Sequence, residues 1–136
     1  CRVVLTSRTE SEIKQVSDQI IKEHGSAENI LVIRSDLEDP ASITNLFSTI
    51  EKKWGPVEIL VNNAAVGFST DFFELDLPTY EKIQNINVRA SFLCSQRMMK
   101  KLREAGKPGS IVNLSSLGGI RSTEKFKGTA PYVISK

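Results

Sequence analysis

Cysteine is scarce in this chain of 136 residues: Cys1 and Cys94 stand far apart and have no ligand-like neighbours. That excludes a disulfide framework and an ordinary zinc site, and it makes a reducing cytoplasm the expected location. Histidine is scarcer still. The lone His24 falls at the polar end of an expected helix and reads as surface. No apolar run approaches the length of a membrane span, and no secretory signal is visible at the start. The net charge is only +2, with basic residues scattered among acidic ones, so there is no basic stripe to bind nucleic acid. What remains is ordinary for a globular protein: hydrophobic residues make up 40% and charged residues 25%, and the length suits one core rather than two. A single domain over 1–136 is expected, without repeats or a low-complexity linker.

The apolar pattern alternates between two periods. "RVVLT" at 2–6 is a short β-branched run and predicts a buried strand. Thr9 then reads as a helix N-cap, with Glu12 placed to complete a capping box. Ile13, Val16, Ile20 and Ile21 recur at helical spacing, and Gly25 ends that helix. "ILVI" at 30–33 predicts a second strand. Asp39-Pro40 is a cap with a first-turn proline, ahead of the stripe Ile43, Leu46, Phe47, Ile50 and Trp54. Gly55-Pro56 breaks that helix, and "EILV" at 58–61 predicts a third strand. A loop rich in Asn, Ala and Gly covers 62–77. One long helix is expected from Pro78 to about Arg103, with Tyr80, Ile83, Asn87, Ala90 and Cys94 on one face. "SIVNL" at 110–114 predicts a fourth strand, and Pro131 opens a last helix. Strands read as continuous apolar runs, as when both faces are covered. Helical crossovers of this length imply parallel strands. The expected fold is a doubly wound α/β sheet with ligands at the carboxyl ends of its strands.

Unusual polar residues follow those strand ends: Arg8, Asp36, Asn62 and Asn63, then Ser115 and Ser116. Four in succession on one sheet edge suggest a site. Tyr132 and Lys136 are four apart on a starting helix and so share a face. A cation within roughly 4–6 Å favours the phenolate, which makes a tyrosine usable as a general acid near neutral pH. Ser116 is either a loop cap or a hydroxyl for a carbonyl oxygen and its developing charge. Asn87 lies on the apolar face of the long helix. A buried amide must find partners, so it either ties helix to strand or serves the site.

"LVNNAA" (60–65), "INV" (86–88), "GSIVNLSS" (109–116) and "YVISK" (132–136) together resemble the successive motifs of the short-chain dehydrogenase/reductase family, in its order and across essentially the whole chain. The resemblance implies a Rossmann-type, three-layer α/β/α sheet, here incomplete, and hydride transfer between NAD(P) and a small-molecule carbonyl or alcohol. It implies Tyr132 as the acid that protonates the carbonyl oxygen. Lys136 would favour the ionised form of Tyr132 and bind the nicotinamide ribose. Ser116 would polarise the carbonyl, and Asn87 would hold a water in a relay from Lys136 to solvent. Asp36 and Leu37 would contact adenine, and Asn63, Ala64 and Ala65 would line the ribose side. Family members form dimers and tetramers through the long helix and the one beginning at Tyr132, so a homodimer or homotetramer is implied.

Cofactor choice turns on the end of the first strand. NAD users commonly place an acid there for the ribose 2′-hydroxyl. This chain has "LTSRTE", and the fork of Arg8 matches a 2′-phosphate, which favours NADP over NAD. The family's glycine-rich phosphate loop is not found, the family continues beyond Lys136, and Ala65 stands where glycine is common. The interval from Ser116 to Tyr132 exceeds the family's usual one, with the extra length in the basic stretch "RSTEKFKGTAP". These departures lead to the expectation of a partial chain. By itself it would be unstable, with unpaired strand edges, and inactive; tight NADPH binding with turnover would contradict that. Substrates from 3-oxoacyl thioesters to steroids, sugars and small ketones stay open. The alternative is a non-catalytic fragment that binds nucleotide or associates with complete subunits.

Overall fold

The computed structural model describes residues 1–25, 27–120 and 127–136. Most of the basic stretch after Ile120 therefore lies outside the described residues. The chain falls into two compact units, Cys1–Gly55 and Pro56–Lys136.

The first unit runs β1 (Val3–Ser7), α1 (Glu10–His24), a 3-10 turn (Ala27–Asn29), β2 (Ile30–Arg34) and α2 (Pro40–Trp54). β1 and β2 pair in parallel, from Val3 opposite Ile30 to Ser7 opposite Arg34, and α1 packs on both. Thr9 is the N-cap of α1, as its sequence predicts, but its side chain makes no cap bond. The capping box fails for a local reason: Ser7 Oγ already accepts the Thr9 N–H, at 3.2 Å, which is the donor that Glu12 would have taken. Gly25 closes α1 in the left-handed region (φ 67°), its N–H bonded to the Ile21 carbonyl at 2.7 Å. The expected stripe is only partly right. Ile13 is buried with Ser17, whereas Val16 is 46% exposed. In α2 the cap holds as expected, with Asp39 carboxylate oxygens accepting from the Ala41 and Ser42 N–H groups at 2.9 and 3.2 Å. Ile43, Leu46, Phe47 and Ile50 are all buried. Trp54 is only half-buried, and the Arg2 guanidinium lies 5.5 Å from its ring centre.

The second unit runs β3 (Ile59–Asn62), α3 (Leu77–Gln84), a π turn (Asn85–Arg89), α4 (Ala90–Ala105), β4 (Ser110–Asn113), a 3-10 turn (Leu117–Gly119) and α5 (Ala130–Ile134). β3 and β4 pair in parallel, Ile59 opposite Ser110 and Asn62 opposite Asn113. Among the described residues two parallel pairs are thus present, the incomplete form of the doubly wound sheet. Asp76 starts α3 by accepting the Thr79 N–H at 2.7 Å; that bond holds its carboxyl below the ordinary range. The single long helix expected from Pro78 is interrupted by the π turn, a device that re-aims side chains at one point of a helix. Ile83, Ile86, Ala90, Cys94, Met98 and Leu102 form the core of this unit. α4 packs on β3. Ile59, Val61 and Val112 point away from that core and are 68%, 55% and 48% exposed. The expectation that both strand faces are covered is not met here.

Candidate active site

The site of the second unit is assembled around α5, a helix of only five residues. So short a helix cannot hold itself, and its position comes from outside bonds. Gln84 Nε2 donates to the Pro131 carbonyl at 3.3 Å. Asn87 Nδ2 donates to Ser135 Oγ at 2.8 Å, and that hydroxyl donates in turn to the Tyr132 carbonyl at 2.7 Å. Lys136 lies past the last helical residue, and its N–H bonds the Val133 carbonyl at 3.3 Å. The turn closed by that bond begins at Val133, one residue past Tyr132, so the expected placing of tyrosine and lysine on one face of a regular helix is not met. Lys136 also docks onto the end of β4: its Nζ donates to the Leu114 carbonyl, and Ser115 Oγ donates to the Lys136 carbonyl at 2.8 Å.

Asn87 is buried and its amide is almost fully used. Its Oδ1 accepts the Val66 N–H at 2.8 Å, and its Nδ2 donates to the Val66 carbonyl at 2.9 Å as well as to Ser135. Both amide protons are spent. The side chain thus clamps the loop after β3 to α5. Ser116 caps the 3-10 turn, its Oγ accepting the Gly118 N–H at 3.1 Å. A hydroxyl that accepts as a cap still has its own proton to give. The two readings of Ser116 are therefore compatible: a cap that can also donate to a carbonyl oxygen.

A cavity of about 360 Å³ opens beside Asn87 and Lys136, lined also by Ala64, Ser91, Ser95 and Asn113. Ser116 and Tyr132 are outside its lining. Asn62 Nδ2 spans its floor, donating to Ser95 Oγ at 3.1 Å and Asn113 Oδ1 at 2.8 Å. Sequence reasoning did not single out Ser91, Ser95, Asn113 or Ser135. A signal was present for two of them, because Asn87, Ser91 and Ser95 are small polar residues at successive steps of four. Asn63, Ala64 and Ala65 are all exposed.

The first unit carries Arg8, Asp36 and Leu37. Arg8 is exposed, and its carbonyl accepts from Arg34 Nε at 3.0 Å. Asp36 is exposed and folds back on its own chain, Oδ1 accepting the Glu38 N–H at 3.0 Å, while Ser42 Oγ takes its N–H at 2.9 Å. Leu37 beside it is half-buried.

Cys94 lies on the buried face of α4, where burial pushes its thiol up to about 11. Thiolate is the reactive form, so Cys94 should resist iodoacetamide at pH 8 in the folded protein and react once denatured. Peptide mapping of the alkylated protein checks this, and native labelling at a rate near that of a free thiol would contradict the burial.

The chain belongs to the short chain dehydrogenase family, whose model matches residues 1–136. It is 36% identical over 115 residues to L-xylulose reductase of Bos taurus, covering 85% of this chain and 43% of that protein. It is 33% identical over 135 residues to NADPH carbonyl reductase 2 of Sus scrofa, covering 99% of this chain and 50% of that one. Among solved structures, a metagenomic short-chain oxidoreductase in complex with NADP superposes with a TM-score of 0.87 at 26% identity, covering 100% of this chain and 59% of that chain. The fold is therefore the Rossmann-type α/β fold, in incomplete form. The chain spans about half the length of these curated relatives.

Proposed function

We propose that the full-length protein is an NADP(H)-dependent oxidoreductase interconverting a small-molecule carbonyl and its alcohol, and that both units belong to one nucleotide-binding domain. The observation that carries this reading is the docking of α5 onto the end of β4 through Lys136, Leu114 and Ser115. It sets the end of the Tyr132-bearing segment beside the strand exit that bears Ser116. In this reading Tyr132 gives its phenolic proton to the carbonyl oxygen. Ser116 donates its free O–H to the same oxygen and lowers the cost of charge developing there. Lys136 supplies the neighbouring positive charge and binds ribose hydroxyls. Asn87 fixes the geometry and stands where a relay water to Lys136 would bind.

In this reading the residues of each unit suit parts of a nicotinamide dinucleotide phosphate. Arg8 offers an exposed guanidinium after β1, the chemistry a 2′-phosphate requires. Asn63, Ala64 and Ala65 are exposed residues, the two alanines with little bulk, suited in this reading to the ribose side, and Asp36 with Leu37 to adenine. A bound nicotinamide would supply or accept the hydride. NADP appears in the matched structure's own complex, which supports the choice over NAD. Replacing Arg8 with Asp should weaken NADPH relative to NADH by about ten- to a hundredfold, the worth of charge-assisted bonds to one phosphate. Comparing kcat/KM for the two cofactors checks this, and an unchanged ratio removes Arg8 from cofactor choice.

Assembly of like subunits is part of the same reading. Val88, Phe92 and Met99 lie at helical spacing from the π turn along α4 and are 46%, 61% and 62% exposed, an apolar stripe of the kind that marks an interface. The free, buried thiol of Cys94 suits a cytoplasmic location.

A further inference from the structure

In loop 63–76, Gly67 lies against the Tyr132 side chain of α5. A methyl group built there would lie 3.1 Å from Cδ2, 3.4 Å from Cγ and 3.7 Å from Cβ of Tyr132. The nearest of these is tighter than ordinary carbon–carbon contact. Gly67 has no positive φ, so its backbone does not demand glycine. What a side chain there would meet is the Tyr132 ring, which would have to give way.

The loop cannot easily move away. Its neighbour Val66 is held at both backbone groups by Asn87, and the same amide holds α5 through Ser135. On the other side the Thr70 N–H donates to the Gly128 carbonyl at 3.1 Å, and Ser69 Oγ to the Lys127 carbonyl at 3.2 Å. The loop is pinned on both flanks of Gly67, and both sets of pins lead to the segment that carries Tyr132.

We propose that Gly67 is a positioning residue for Tyr132: its bare Cα forms the wall against which the ring rests, and the pinned loop makes that wall rigid. This rests on Tyr132 being the acid of the proposed reaction. A side chain at 67 then displaces the ring, and with it the hydroxyl, while the cofactor residues stay in place.

The test uses the full-length protein. Misplacing a reacting group by 1 Å can cost about a hundredfold, so Gly67→Ala should lower kcat by roughly three- to tenfold and Gly67→Val by about a hundredfold. NADPH affinity should stay within about twofold in both, by the same reasoning about local displacement. On a Tyr132→Phe background Gly67→Ala should have no further effect on the residual rate, since residues acting as a unit are non-additive. In fluorotyrosine-labelled protein, the fluorine resonance that Tyr132→Phe removes should shift in Gly67→Ala. Wild-type kcat in both Gly67 variants, an unshifted resonance, or an additive loss on the phenylalanine background would overturn the proposal. Full activity of Tyr132→Phe alone would instead overturn the reaction on which it rests.

Discussion

Replacing Tyr132 with phenylalanine should lower carbonyl turnover by about a hundred- to ten-thousandfold, the range a positioned general acid contributes. NADPH binding should be nearly unchanged. The substitution removes one oxygen and keeps the ring, so the contact with Gly67 survives. The bonds that hold α5 run through backbone groups and through Gln84, Asn87 and Ser135, and none uses the phenol. Fold and cofactor site should therefore persist while the transferable proton is lost. The separation is read by steady-state rates beside nucleotide fluorescence titration. A variant retaining most of its turnover would take Tyr132 out of the chemistry.

Asn87→Ala should be damaging for a different reason. It leaves the Val66 N–H and carbonyl without their partner and takes one donor from the Ser135 hydroxyl, which keeps its own bond to the Tyr132 carbonyl. Each stranded group costs about 1–3 kcal/mol when water cannot reach it. The sites are part-buried, so a total loss of about 2–4 kcal/mol of stability is expected. Turnover should also fall by about a hundredfold, because loop 63–76 and α5 lose their common clamp and the acid loses its register. Asn87→Asp is informative beside it. A carboxylate can still accept from the Val66 N–H but faces the Val66 carbonyl with no proton to offer. Its protonated form can donate there, so the defect should ease as pH falls. Denaturant midpoints and kcat measured together check this; an Asn87→Ala protein with wild-type stability would contradict the clamp.

Much of this was legible in the chain because it depends on neighbours in sequence. Asp39, Pro40 and Gly25 marked helix ends through local bonding, and apolar runs marked all four strands within a residue or two. What failed depended on competition or on space. The Thr9–Glu12 box lost its donor to Ser7. The π turn hid inside a normal apolar rhythm, since Ile83, Asn87, Ala90 and Cys94 keep helical spacing across it. The exposed faces of Ile59 and Val112 could not be foreseen from runs that look buried. For the proposed site, four residues stood out as motifs: Asn87, Ser116, Tyr132 and Lys136. Their connections were not. That Asn87 spends its amide on Val66 and Ser135, or that Gly67 abuts the Tyr132 ring, follows only from chain segments far apart in sequence meeting in space.

The most direct measurement is NADPH oxidation by the purified full-length protein across a panel of ketones, aldehydes, sugars and 3-oxoacyl thioesters, run in parallel with Tyr132→Phe. The expected result is carbonyl-dependent loss of the reduced-nicotinamide absorbance by the wild type, NADPH preferred over NADH, and loss of that turnover in the variant with NADPH still bound. A wild-type protein that binds NADPH but oxidises it with no carbonyl, or a Tyr132→Phe protein that matches the wild type, would contradict the proposed reaction.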